Sequence, residues 1–492
     1  MSRNRIVLVT AGIMLSLFLA SMESTVVATA MPTIVGQLGG LEHYSWVFSA
    51  YMLTSTTTVP LYGKLSDLYG RRNLYVGAMI LFLIGSIFAG QSNTMTQLIL
   101  ARGLQGIGAG GILPLAFILI GEMFTLEQRA QMQGLFSGVW GVSSIIGPLL
   151  GGFLVDQLSW RWVFYINILP GLLAAALVAL AWRDQLHSHE RPAIDYAGAI
   201  LLTVAVVTLL LGLVEFGTSS SWILIAVSVV LLAALLWVEN RAEDPILPLH
   251  LFREKLFSIS VIHGTLTGWA MFGSISFIPL FVQSVLGTSA TQAGITIAPM
   301  LLGWVMASII GTRLLLTVGY RRLAIFGTAS LVIGSFLMSR VDANINQYLL
   351  MAFVTLMGIG MGFSIPPFLI AVQTTVERRY LGTATSTLQF SRSIGGTLGV
   401  SVMGAALSAR LISNLSASGM DLSIVDQLLD PVLNTGTVIN EGVRFAVANA
   451  INLVFIIAFV AALLAVIVTF FTPRKELTEK SVEAEAVIVS AD

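Results

Sequence analysis

The chain has 492 residues, of which 56% are hydrophobic and 10% charged, with a mean hydropathy of +0.89. Soluble domains usually carry about 25% charged residues, so this chain cannot clothe a water-facing surface and is expected to be solvated mostly by lipid. A formal net charge of zero gives no reason to expect a nucleic-acid partner, and the lack of cysteine excludes disulfides, thiolate metal sites and thiol catalysis.

The first hydrophobic run, 6–31, follows Arg3 and Arg5. It is longer than a signal-peptide core and another apolar segment follows at once, so it reads as a retained first helix. Further runs, each long enough to cross ~30 Å at 1.5 Å per residue, fall near 45–63, 73–91, 96–120, 131–155, 162–182, 195–216, 221–238, 256–284, 291–316, 323–340, 347–372, 382–410 and 445–471. That makes about fourteen spans by hydropathy, an even count that puts both chain ends on one side. Lys and Arg divide about 19 to 4 between the two sets of loops, and the richer set includes both ends. By the positive-inside rule both termini are expected to be cytoplasmic.

"GIGAGGILP" (Gly106 to Pro114) is echoed by "GIGMGFSIP" (Gly358 to Pro366), and "YGRR" (Tyr69 to Arg72) by "GYRR" (Gly319 to Arg322). Parallel repeats of this kind suggest a transporter of two halves with its site between them near mid-membrane. The expected layout is an N-terminal six-helix bundle (1–190), two inserted transmembrane helices (191–240), a cytoplasmic linker (241–255), a C-terminal six-helix bundle (256–471) with an external loop at 411–443, and a cytoplasmic tail (472–492). In the linker, Leu247, Leu249, Leu251 and Phe252 are candidates to lie along the membrane surface. His187 and His189 read as a solvated loop pair, since two ligands are too few for a metal site.

Four motifs then occur in order. "GKLSDLYGRR" (Gly63 to Arg72) resembles the loop between helices two and three of the major facilitator superfamily, and "LILARGLQGIGAGG" (Leu98 to Gly111) its helix-four motif. "GVWGVSSIIGPLLGG" (Gly138 to Gly152) resembles the helix-five motif that marks antiporters. "MESTVVATAMP" (Met22 to Pro32) and "LGTATSTLQFSRSIGGTLGV" (Leu381 to Val400) are similar to motifs of the fourteen-helix drug/proton antiporter branch. The chain departs from that pattern in having Glu23 for an aspartate, Ala28 for an asparagine, and Thr312 and Leu316 where the second-half loop usually has a glycine and an acid. The resemblance implies an all-α membrane protein of the major facilitator fold, in a plasma membrane such as the bacterial inner membrane. It also implies that the 63–72 loop latches the halves when the cytoplasmic side is shut.

The gating roles are what the resemblance implies; the residues' own chemistry speaks only for turns, close packing and charge pairing, and in helix five an ordinary small-residue crossing fits the spacing as well. Gly63 permits close helix approach, and Gly70 permits a turn with positive φ. Asp67 is placed to favour the positive N-terminal end of the third helix. Arg71 and Arg72 are placed to pair with acids at the interface. In helix five, Gly147-Pro148 bends the helix, and Gly151 and Gly152 allow a neighbour to pack close.

Glu23 is an ionisable acid inside the first span. Charges at this depth are costly, and by default they face an interior cavity and serve function. Counting rise per residue puts Glu23 about 25 Å from the cytoplasmic edge, and Arg102, in the inward-running fourth span, about 9 Å below the external edge. The two levels agree within a few ångströms of a ~30–35 Å layer. Burial and a neighbouring guanidinium act in opposite senses on a carboxyl's proton affinity, so a movement that separates them would load or release a proton. Glu23 is therefore the expected proton-coupling acid and counter-charge to a cationic substrate, with Arg102 tuning it and Gln105 one turn along.

Arg392 is expected to face the cavity or the cytoplasmic gate, and His263 to be a hydrogen-bonded interior residue. Trp140, Trp269, Phe272, Trp304, Phe363 and Phe390 are candidates for the greasy wall of a drug cavity. No GxxxxGK[ST] loop is present, so energy is expected from an ion gradient. Neither a metal cluster nor a nucleophile–base pair appears, which argues against an enzyme and against any cofactor. The expected partners are the bilayer, protons and small amphipathic substrates, with no obligatory protein. The expected function is proton-driven export of amphipathic, cationic drugs or toxic compounds; the alternative cargo is a lipid, an envelope component or an endogenous metabolite.

Overall fold

The computed structural model describes residues 3–38, 44–182, 195–214, 218–242, 245, 247, 249–288, 290–417 and 441–474. The pair His187 and His189, most of the 411–443 loop and most of the 472–492 tail lie outside the described residues. Within them every regular element is helical: α1 (Arg3–Leu38), α2 (Tyr44–Tyr69), α3 (Arg71–Gly90), α4 (Met95–Met123), α5 (Leu126–Gln157), α6 (Trp162–Tyr165), α7 (Ile168–Ala181), α8 (Tyr196–Val214), α9 (Ser219–Glu239), α10 (Lys255–Ser284), α11 (Ala290–Val318), α12 (Tyr320–Met338), α13 (Gln347–Thr375), α14 (Leu381–Ala417) and α15 (Glu441–Phe470). Eleven helices among the described residues are long and apolar enough to cross a membrane, and α8 has a shorter apolar stretch, Ala197–Leu213. Large apolar side chains such as Leu100, Leu180, Ile223 and Val230 are mostly exposed around the outside. In water such a surface would aggregate; against lipid tails it is matched.

Helices α1–α7 form one bundle and α10–α15 another, with the same neighbours in each. α1 packs on α5 and α7, α3 on α4, and α2 on α4; correspondingly α10 packs on α14 and α15, α12 on α13, and α11 on α13. The repeated glycines lie at equivalent seams. A Cβ on Gly108 would stand 2.5 Å from Ala78 O of α3, and one on Gly360 would stand 2.7 Å from Gly327 O of α12. Only a residue without a side chain lets these backbones approach so closely. The two "RR" turns also match, since Gly70 (φ 85°) and Gly319 (φ 83°) each precede a helix in the left-handed region that glycine tolerates.

α8 and α9 pair with each other. Their core of Leu202, Val206, Leu210 and Leu235 rests on Leu53 and Leu61 of α2 and on Phe390, Ile394 and Leu398 of α14. The linker departs from expectation at one residue. Residues Leu249–Arg253 form a 3-10 turn, and Leu251 is buried with Leu126, Phe257 and Tyr320 instead of lying on a membrane surface. The turn rotates Leu251 inward while Phe252 stays more than one-third exposed.

The bundles meet along α2–α14 and α5–α11. At the former, a Cβ on Gly63 would meet Ser386 and stand 2.9 Å from Gly382 O. At the latter, Ser137 donates to or accepts from Ser308 at 2.7 Å.

Candidate functional site

Glu23 projects from the middle of α1, a continuous helix of 36 residues. Arg102 and Gln105 follow the start of α4, where Thr94 accepts from Gln97 N; three residues apart, they share one helix face. The three side chains meet. Arg102 Nη1 donates to Glu23 Oε1 at 2.6 Å and to Gln105 Oε1 at 2.7 Å, and Gln105 Nε2 donates to Glu23 Oε1 at 3.0 Å. The second carboxylate oxygen, Oε2, accepts from Asn167 Nδ2 at 2.7 Å. Ser86 of α3 accepts from Gln105 at 2.7 Å, while Arg102 Nε reaches Val47 O of α2 at 3.3 Å and its guanidinium lies 4.1 Å from the centre of the Tyr51 ring.

Glu23 and Arg102 are each 1% exposed and Gln105 is fully buried. A buried ion pair is tolerated only when its remaining donors and acceptors are also engaged, and here α1 to α4 and the break between α6 and α7 contribute to doing so. Within this cluster the Asn167 Oδ1 atom is buried without a hydrogen-bond partner. The amide is thus oriented as a donor to the carboxylate, with an acceptor left idle.

A second cluster ties the halves together at the end of the bundle where α3 and α14 begin. Asp67 was expected to serve the N-terminus of α3. Instead its carboxylate accepts from Gly382 N (3.0 Å), Thr383 N (2.9 Å) and Thr383 Oγ1 (3.1 Å), at the first turn of α14 in the other half. The reason is that α2 continues past Asp67 to Tyr69 and turns that side chain toward α14. Arg71 bonds Asp67 at 3.4 Å and Glu122, and Arg378 bonds Glu122 at 2.8 Å. Arg129 adds bonds to Phe124 O at 2.8 Å and, across the interface, Gln373 O at 3.4 Å.

Known proteins resemble the chain along most of its length. The profile of the Major Facilitator Superfamily matches residues 13–400. The chain belongs to the major facilitator superfamily. The superfamily's members are transporters, and this one is therefore a multi-pass membrane transporter rather than an enzyme. It is 40% identical over 415 residues to the "Multidrug transporter protein MdtP" of Bacillus subtilis, covering 83% of this chain and 76% of the relative. It is 36% identical over 499 residues to "Multidrug resistance protein 3" of the same organism, covering 96% and 97%. Among solved structures, the proton:xylose symporter XylE aligns over 96% of this chain and 97% of its own, with a TM-score of 0.64 at 13% identity, a likeness of fold alone.

Within this major facilitator transporter the remaining sequence candidates are scattered. Gly147 and Gly151 face α1, where a Cβ on Gly151 would stand 3.1 Å from Val26 O. Gly152 was also expected to accommodate a close neighbour, but a Cβ there would meet nothing within 4 Å, because it lies one residue around the helix from that seam. Pro148 lies within α5. Arg392 is partly buried, bonds Gln389, and lines a cavity of about 30 Å³ with His263 and Ser260. His263 is 1% exposed and pairs with Thr328 Oγ1 at 3.1 Å against the Phe368 ring.

The six aromatics do not gather around one cavity. Phe363 stacks edge-on against Phe326, which is 58% exposed, and so sits at the lipid-side seam of α12 and α13. Phe390 packs under α8 and α9. Trp269 and Trp304 pack on the core of the second bundle, and Phe272 covers Gly396. Trp140 is 36% exposed on α5. Sequence reasoning missed Asn167, Ser86, Tyr51 and Glu122. The first three are ordinary polar residues at helix ends or in apolar runs, and only Glu122, an acid near the end of a span, carried a signal of its own.

Proposed function

We propose that this transporter is a proton-coupled antiporter of the fourteen-helix drug/proton branch that exports amphipathic, cationic compounds across a plasma membrane by alternating access. The basic end of the bundle, with both chain ends, is its cytoplasmic side, and the Asp67–α14 contacts are its closed inner gate.

The observation that carries this reading is a carboxylate wholly enclosed by one guanidinium and two amides. The names of two relatives, both multidrug proteins, support the cargo. With Glu23 ionised, the Arg102 contact clamps α1 to α4. Protonation removes the negative charge and leaves a neutral acid facing donors, so the clamp loosens and the helices can move. Because Glu23 is 1% exposed with the gate shut, proton exchange requires the halves to shift, which couples access to protonation. A cation entering from the cytoplasmic side then competes with the proton for the same carboxylate.

Purified protein in proteoliposomes with an imposed pH gradient tests the proposal. A cationic dye should move only with the gradient, and substrate addition should release protons. Undiminished proton-driven export by Glu23→Gln would sink it, as would dye movement indifferent to the gradient.

A further inference from the structure

At the end of the bundle opposite the chain ends, α12 and α15 diverge to leave a groove of about 680 Å³. Its floor carries Phe336, Ile456 and Phe459, and its rim carries Arg340, Asp342 and Asn449. Phe336 and Ile456 are 40% and 42% exposed, on the apolar outside of the bundle, so the groove opens toward lipid tails along its floor. The rim lies just beyond the last turn of α12, which ends at Met338, and hence at headgroup level.

The rim charges are available. The Arg340 guanidinium rests 5.2 Å from the centre of the Phe336 ring and has no carboxylate or carbonyl partner among the described residues. Asp342 spends one oxygen on Asn344 N at 2.9 Å, which leaves the other for a ligand. The turn that presents both is braced from α15: Arg444 bonds Ala343 O, and Asn452 Nδ2 donates to Val341 O at 3.0 Å, while Arg444 Nε is itself held by Val285 O at the end of α10, at 2.7 Å. A cation and an anion two residues apart, held above an apolar trough, complement a headgroup that carries a phosphate and a primary amine.

We infer that this groove binds a phosphatidylethanolamine-type phospholipid, with its phosphate on Arg340, its ammonium on Asp342 and an acyl chain along Phe336, Ile456 and Phe459. The volume lies within the range of built ligand sites, about 300–1,000 Å³. Asn449, exposed at the rim, offers an amide to the ester or phosphate oxygens. The groove shares no lining residue with the Glu23–Arg102 cluster or with the Asp67 contacts.

Native mass spectrometry of the full chain tests it, after delipidation and reloading with phosphatidylethanolamine, phosphatidylcholine or phosphatidylglycerol. The wild type should retain phosphatidylethanolamine about tenfold better than its trimethylated analogue, because a quaternary ammonium cannot donate hydrogen bonds to Asp342. Arg340→Gln should cut retention of all three lipids, with Arg340→Lys restoring part of it. Asp342→Asn keeps the turn's acceptor for Asn344 N and should abolish the preference for phosphatidylethanolamine over phosphatidylglycerol. Equal retention of the three lipids by the wild type, or unchanged phosphatidylethanolamine retention in both Arg340→Gln and Asp342→Asn, would overturn the inference.

Discussion

Arg102 Nη1 lies 2.6 Å from Glu23 Oε1, across 79 residues of chain, with each side chain 1% exposed. Removing one member strands the other as a buried charge, which typically costs about 3–5 kcal/mol, whereas removing both charges together is often nearly neutral. Arg102→Gln is therefore expected to lower thermal stability markedly, and the double variant Glu23→Gln/Arg102→Gln to recover most of the loss. Proton-driven transport should be absent from both. Thermal unfolding in detergent beside proteoliposome flux separates the two effects. A double variant as unstable as the single one would show that the pair is not the source of the cost.

Among the described residues Asn167 supplies the one hydrogen bond to Glu23 Oε2, at 2.7 Å, and it comes from the break between α6 and α7. Asn167→Ala removes a donor to a buried charged group and should cost about 1.5–3 kcal/mol. Substrate-induced proton release should fall with it. Asn167→Gln, which keeps an amide on a longer arm, should rescue part of the release if the donor is what matters. Full proton release by Asn167→Ala would exclude Asn167 from the network's work.

The latch is expected to control which side of the transporter is open. Asp67→Asn removes the charge that faces two backbone N–H groups at the start of α14. Losing about 1.4 kcal/mol from the closed state alone shifts the closed-to-open ratio tenfold. The chain has no cysteine, so paired labels at Glu127→Cys and Glu377→Cys, exposed positions on opposite halves, report the gap directly. Asp67→Asn should broaden their distance distribution toward longer values; an unchanged distribution would remove Asp67 from the gate.

Two glycines distinguish gate from scaffold. Gly63 faces Ser386 and Gly382 of the other half, whereas Gly108 faces Ala78 and Phe82 within its own bundle. Gly63→Val should widen the same label distance with little loss of thermal stability. Gly108→Val should leave the distance alone and cost about 1–3 kcal/mol or more by forcing α3 and α4 apart. The reverse pattern would mean that the α2–α14 contact is not a moving seam.

The loops that precede α3 and α12 are not built alike. Asp67 caps α14 from across the interface, but the second half has Thr312 and Leu316 at the corresponding stretch. Thr312 bonds its own backbone at Ser308 O (2.8 Å), and Leu316 is 48% exposed. The start of α5 is capped locally instead, by Thr125 and Gln128. The missing acid was visible in the sequence; its replacement by a local capping box became visible only once the helix boundary was known.

How much could be read beforehand follows from what hydropathy and periodicity measure. Long apolar runs have to be lipid-exposed or bundled helices, because no other backbone satisfies its own polar groups in hydrocarbon. The linear repeat of Gly108 and Gly360 marks equal crossings, since close approach needs glycine wherever it recurs. The level of Glu23 against Arg102 was accessible because depth in a membrane is proportional to residue count along a helix. Direction around the helix is another matter. In lipid, an apolar side chain is equally content facing a neighbour, a cavity or the bilayer, so the sequence by itself determined a helical membrane protein, its repeated glycine crossings and the common level of Glu23 and Arg102. Only the tertiary structure decided that Asn167 completes the carboxylate's shell, that Asp67 serves the other half, and that Phe363 and Phe390 turn away from the centre.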